Sequence, residues 1–237
     1  MNSFSELGPY ALSLILIKKR QMNKGIFLKM AGVALLMCAC VKEEGVNPLL
    51  SETELIPLSM GKAYTFRQVA YDENGDVTVD RTLTDVVDKD TLINGEKWFR
   101  FAGKENYATN RADGYYTFLT AVEKELFIFK YPVEKGNSFD SQVYIYNPEA
   151  NESDKTTQGV RNVTVVSTNA TVKSPISGKV FEHCIHYKVP KFTPTNKVNT
   201  RIYPSEQYII PGVGQVLNID YFDEDFKKIR FIIEQQL

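Results

Sequence analysis

Both histidines of the chain fall in one short run, Glu182-His183-Cys184-Ile185-His186. Ligand-type side chains this close together raise two chemistries, metal binding and Cys/His nucleophilic attack. Read as a strand, the run separates them. Alternate side chains face opposite ways, so His183 joins Phe181, Ile185, Tyr187 and Val189 on an apolar face. Cys184 and His186 then share the other face with Glu182 and Lys188. Two ligands at Cys184 and His186 find no evident partners elsewhere, so no metal, cofactor or catalytic residue is expected, and the chain is not expected to be an enzyme. Pro211-Gly212-Val213-Gly214 lacks the third glycine and the following helix of a dinucleotide loop. It reads instead as a structural turn at Pro211, Gly212 and Gly214, with Pro211 presetting φ and Gly212 taking the positive φ of a type II turn. The carboxylates of Asp72-Glu73-Asn74-Gly75-Asp76 and Asp223-Glu224-Asp225 lack the spacing of a calcium loop and read as solvated hairpin tips. The chain carries 13 Tyr and 14 Phe. Tyr115, Tyr116, Tyr144, Tyr146, Tyr203 and Tyr208 are therefore candidates for a ligand-stacking surface, although Tyr is also an ordinary filler of sheets with one wet face.

A different chemistry is written near the N-terminus. Lys24 and Lys29 precede a short apolar stretch, Met30 to Met37, that runs into Met37-Cys38-Ala39-Cys40. The stretch is about half the roughly 20 residues that a spanning helix needs. It resembles a bacterial lipoprotein signal peptide, with residues 1–39 removed and Cys40, preceded by small Ala39, carrying the lipid. Met22 onward is a complete signal by itself, so translation is expected to start there. The discarded part holds Lys18, Lys19, Arg20, Lys24 and Lys29 against Glu6, which makes the mature chain more acidic than the −1 of the whole. An acidic domain gains nothing from an anionic lipid surface, so the membrane is a partner through acyl chains alone. Lys42-Glu43-Glu44, just past Cys40, resembles the lipoprotein export signal of Bacteroidetes. That resemblance implies the outer membrane and its outer face, with the periplasmic face as the alternative.

The positioning elements follow from composition and period. Of 237 residues, 43% are hydrophobic and 12% aromatic, enough for a folded core. The near-neutral charge argues against a nucleic-acid partner. Residues 40–56 read as a lipidated flexible tether, with Ser51 to Glu54 able to start one helical turn. From 57 to 237, period-two alternation recurs between turn residues, the mark of antiparallel strands in a single β domain. Asn74-Gly75, Asn94-Gly95 and Asp113-Gly114 suit the central positions of type I′ hairpins. Asn147 to Gln158 is polar and reads as a loop. The fold class expected is all-β, an antiparallel meander with little helix, curved into a strongly bent sheet or an open barrel to manage its edges. Pro57-Leu58-Ser59-Met60-Gly61-Lys62-Ala63-Tyr64 echoes Pro132-Val133-Glu134-Lys135-Gly136-Asn137-Ser138-Phe139. The echo marks either a duplicated half-sheet or common turn chemistry.

The two Pro-to-aromatic segments, Asp90 to Trp98, and Tyr208 to Val216 with its Pro-Gly-Val-Gly core follow one another in an order that resembles uncharacterised Bacteroidetes outer-membrane lipoproteins. That resemblance implies a lipoprotein-carrier-like or lipocalin-like β fold and brings no activity with it. The expected function is that of a monomeric, non-catalytic envelope protein binding an apolar or extended ligand, such as a lipid, peptide or glycan, on a concave sheet face. The alternative is a surface adhesion or assembly component acting through protein contacts.

Overall fold

The computed structural model describes residues 42–43, 47–146, 156–192 and 203–237. Cys40 and Glu44 lie outside the described residues. Thirteen strands form one antiparallel sheet: β1 Lys42–Glu43, β2 Ala63–Tyr71, β3 Val77–Ile93, β4 Glu96–Phe101, β5 Tyr107–Arg111, β6 Gly114–Leu119, β7 Lys124–Lys130, β8 Ser138–Tyr146, β9 Thr156–Lys173, β10 Val180–Val189, β11 Ser205–Ile210, β12 Gly214–Tyr221 and β13 Ile229–Gln235. Helix among the described residues is limited to the 3₁₀ turns Pro48–Ser51 and Thr120–Val122. From β8 to β13, through the β13–β2 ladder and on to β7, each strand pairs with its neighbour. β7 and β8 then meet side by side, closing the sheet into a nearly complete barrel. Side chains bridge that seam: the Phe127 and Phe139 rings lie 5.6 Å apart, and Phe127 N donates to Gln142 Oε1 over 3.2 Å.

The echo between the two Pro-to-aromatic segments has a structural counterpart. Each opens a run of six strands, β2–β7 and β8–β13. Gly61 and Gly136 take φ of 80° and 82°, the left-handed region that a side chain resists. Gly61 N donates to Val87 O and Gly136 N to Val165 O, both over 2.8 Å. Val87 and Val165 are fully buried in the middle of the long second strand of each run. Tyr64 and Phe139 then place their rings in the same interior core. The fifth strand of each run, β6 or β12, also starts on a glycine, Gly114 or Gly214.

Two apolar cores lie on opposite faces of the sheet. The interior core draws side chains from nearly every strand, including Tyr64, Phe101, Tyr115, Phe129, Tyr187 and Ile233. The other uses only part of the sheet, chiefly Phe181, Cys184, Tyr208, Leu217, Ile219 and Ile232. It forms where the β9–β10 hairpin bends over the outer face of β11–β13. The bend comes from bulges, marked by register shifts after Phe181 and Cys184 and by His183 at a φ of 59°. This corrects the face assignment for 181–189: one extra residue reverses the alternation, so Phe181 and Ile185 enter different cores.

Other local expectations change as well. Residues 47–56 are packed on the barrel. Asn47 Nδ2 donates to Thr168 O and His183 O, both over 2.8 Å, and Leu55 and Ile56 sit in the interior core. The short helical turn is Pro48–Ser51, because the Asn47 side chain caps it by accepting from Leu49 N. Thr156 to Gln158 belong to β9, paired with Tyr144 to Tyr146, whereas 147–155 lie outside the described residues. Asn94-Gly95 has positive φ at both positions. The β5–β6 turn centres on Ala112-Asp113, leaving Gly114 inside β6.

The concave face is also corrected. It carries mutually packed, buried side chains of the protein itself in place of an apolar wall open to a ligand.

Candidate functional site

The barrel has two unlike ends. Leu55, Ile56 and Leu58 seal the first. Tyr131 Oη donates to Glu52 O over 2.7 Å, Gly212 N to Glu54 O over 2.9 Å, and Asn110 Nδ2 to Ile56 O over 2.8 Å. The second end lies four to six residues along the same strands, where the inward side chains turn polar. Tyr187, Gln207, Asn218, Ile233 and Gln68 form one row across β10, β11, β12, β13 and β2. The next row outward holds Val189, Ser205, Asp220 and Phe231.

Arg161 of β9 and Arg230 of β13 meet Asp220 at this end. Arg161 is buried at 8% exposure, and its Nε has no hydrogen-bond partner. Burial pulls its guanidinium down to about 10, opposed only by the charge of Asp220. The Arg230 Nη1 atom lies 3.8 Å from Asp220 Oδ2, inside ion-pair range and beyond hydrogen-bond range. The Tyr203 ring supports Arg230 with its guanidinium carbon 4.2 Å from the centroid. Asp220 Oδ1 accepts from Asn218 Nδ2 over 3.0 Å. Burial raises the Asp220 carboxyl above its ordinary value, against the pull of Asn218 and the two arginines. Phe192, packed with Val143 and Ile145, walls the β8–β9 side close to Arg161. Gly159 makes room for it: a Cβ there would come within 2.6 Å of the ring. On the rim, Pro190, Lys191, Pro204, Glu224 and Phe226 line a groove of about 240 Å³.

The six candidate tyrosines do not form one surface. Tyr115 is buried in the interior core. Tyr208 is buried in the outer core, its ring stacked 4.4 Å from that of His186. Tyr116 lies half-buried on the outer face, donates to Asp113 Oδ2 over 2.8 Å, and stacks under Arg111. Tyr144 is half-buried at the β8–β9 hairpin, with Lys124 Nζ 4.9 Å from its ring. Tyr146 pairs with Thr156 at the end of β8. Tyr203 packs its ring on Arg230 at the polar end. Lys42 and Glu43 pair with Thr171 and Ala170 of β9, in the arm of the β9–β10 hairpin that carries the outer core. Pro211 and Gly212 are the central residues of a turn closed by Val213 N to Ile210 O, with Gly212 at a φ of 75°.

Cys184 and His186 stay apart from this site. Cys184 is fully buried, and burial pushes its thiol up to about 12. His186 Nε2 lies 3.3 Å from Glu206 Oε1, and Tyr221 Oη donates to Glu206 Oε2 over 2.6 Å. Burial acts to raise the Glu206 carboxyl, but the close contact with His186 and the hydrogen bond from Tyr221 prevail and hold it below the ordinary value. Among the described residues, no three His, Cys, Asp or Glu side chains converge as metal ligands would.

The sequence reading missed Arg161, Asp220 and Arg230. A signal was present for the first. Arg161 alternates in phase with Val163 and Val165, which assigns a charge to the buried face of a strand. Arg230 carried no such signal, because the register shift between Asp220 and Tyr221 changes its direction.

No family model and no curated protein matches this chain. Two solved structures are similar to it. One is an exported protein with a YmcC-like fold from Bacteroides fragilis, 14% identical, covering 77% of this chain and 97% of that one, with a TM-score of 0.49. The other is a lipoprotein from Parabacteroides distasonis, 12% identical, covering 78% and 98%, with a TM-score of 0.47.

Proposed function

We propose that this chain is a non-catalytic, lipid-anchored protein of the outer membrane that binds a ligand at the polar end of its barrel. The observation that carries the reading is the contrast between the two ends. Cys40 lies seven residues before Asn47, which is fixed at the sealed end. A chain of that length spans at most about 25 Å, so an anchor on Cys40 holds the sealed end toward the lipid. The polar end then points away from the membrane, where solutes arrive. Buried charge without full pairing costs stability, and such groups concentrate where binding repays the cost. The non-catalytic reading is supported by the burial of Cys184 and by His186 being held between Tyr208 and Glu206.

Cell fractionation of the wild type and Cys40→Ala tests the anchor. The wild type is expected in the outer-membrane fraction and open to protease added outside the cell, and the variant in the soluble fraction. An identical membrane distribution of the two would overturn it.

A second reading, contact with another protein, is favoured by the outer face of β4–β7. There Arg111 bridges Glu96 and Glu125 and covers Tyr116 and Trp98, beside half-buried Phe118. Rings and guanidinium together are the usual make-up of contact anchors.

A further inference from the structure

We infer that the polar end of the barrel binds an oxyanion, a carboxylate or phosphate group, between Arg161 and Arg230. This rests on that end being the ligand site and goes further by naming the chemistry it accepts. Three charged groups meet there, two guanidinium groups and one carboxylate. Asp220 cannot serve both arginines. Its Oδ1 is held by Asn218, and its Oδ2 stays 3.8 Å from Arg230. The Arg161 Nε is buried without a hydrogen-bond partner. Arg230 Nη1 is buried without a hydrogen-bond partner too. A guanidinium presents donors in a planar fork matched to two oxygens of one carboxylate or phosphate. The surplus here is one positive charge with donors on two strands from opposite ends of the β8–β13 run, a setting that water satisfies poorly and a planar oxyanion satisfies well. Tyr203 packs on one arginine, and the other is itself buried, a setting that strengthens a charge-assisted bond. The free anion and an acidic group on a larger glycan or lipid share this chemistry.

Thermal melting of the full-length protein, purified in detergent at fixed ionic strength, tests the site with three probes: sodium glucuronate, inorganic phosphate and neutral glucose. At least one oxyanion is expected to raise the melting temperature saturably, since a ligand bound only by the folded state stabilises it. Glucuronate alone would mark a carboxylate site, phosphate alone a phosphate-ester site. Arg161→Gln is expected to weaken the response by about tenfold or more, while its own melting temperature holds or rises because an unpaired buried charge is gone. Arg161→Lys keeps the charge without the fork and falls between, which preserves the test if the glutamine variant folds poorly. Lys97→Gln, a surface change, keeps the full response. No shift with either oxyanion, or equal shifts in the wild type and Arg161→Gln, would overturn the inference. A response to glucose as large as that to glucuronate would reject the oxyanion and leave the polar end as the ligand site. Membrane fractionation is unaffected by any of these results.

Discussion

Ser177, at the tip of the β9–β10 hairpin, donates to Glu234 on β13 over 2.9 Å, although β11 and β12 separate β10 from β13 in the sheet. Ser174 donates to the same carboxylate oxygen. The hairpin therefore crosses the outer face of its own sheet and is tied down at the far side, which is what encloses the second core. Glu234→Ala leaves two hydroxyls near the oxygen they lost, Ser174 among them buried. It is expected to destabilise the fold by about 1–3 kcal/mol in urea unfolding. An unchanged midpoint would mean that the hairpin is held by apolar packing alone.

Gly114 is fixed by space. A Cβ there would stand 2.1 Å from Phe129 O, a backbone atom of the paired strand β7 that cannot move aside. Gly114→Ala is expected to cost about 1–3 kcal/mol or more through overpacking. Gly75, at the tip of the β2–β3 hairpin, meets nothing within 4 Å and is constrained only by its φ of 90°. Gly75→Ala is expected to cost about 1 kcal/mol. Equal losses at the two sites would contradict the steric account.

This pair shows what the sequence made legible and what it did not. Asp113-Gly114 announced a turn, correctly within one residue, but the reason for the glycine is a tertiary contact with Phe129. Period-two alternation located the meander because one face of each strand is buried in the barrel. It failed at Phe181 to His186, where one bulged residue swaps the faces, and it said nothing of the hairpin folding back. The Pro-to-aromatic echo was legible as a pattern, and its meaning became clear once Gly61 and Gly136 were seen making the same bond to a central valine. The charged site was the least legible part. Asp220 and Arg230 are neighbours across the β12–β13 ladder, but Arg161 is far from both in the chain and joins them only because the barrel curves.

Trp98 is the single tryptophan and is fully buried, although it lies on the outer face of the sheet. Its cover is Phe118, at 5.8 Å between centroids, and Arg111, whose guanidinium carbon is 5.4 Å from the ring. Fluorescence is expected to be blue-shifted and poorly quenched by acrylamide in the wild type. Arg111→Ala is expected to move emission to the red and to destabilise by about 1–2 kcal/mol, since two carboxylates lose their bridge and two rings their lid. Arg111→Lys should not restore the wild-type spectrum, because a point charge cannot hold Glu96 and Glu125 while stacking on Tyr116.

Cys184 gives a check on the outer core. Its thiol, ordinarily near 9.0, is pushed up to about 12 by burial. The folded state therefore holds this proton more tightly than the unfolded state. The associated stability is complete below about pH 9 and is lost as pH rises from there toward 12. At pH 8 the native thiol is expected to resist Ellman's reagent and to react at once in urea. Rapid reaction in the native protein would mean that the β9–β10 hairpin lifts from the sheet.

The central claim is that this barrel is anchored through Cys40 with its sealed end toward the membrane. Intact-mass and N-terminal peptide spectrometry of the protein extracted from outer membranes tests it most directly. The account predicts a chain that begins at Cys40 and carries the added mass of a lipid on that residue. A chain that retains residues before Cys40, or that begins at Cys40 without acyl mass, would contradict it.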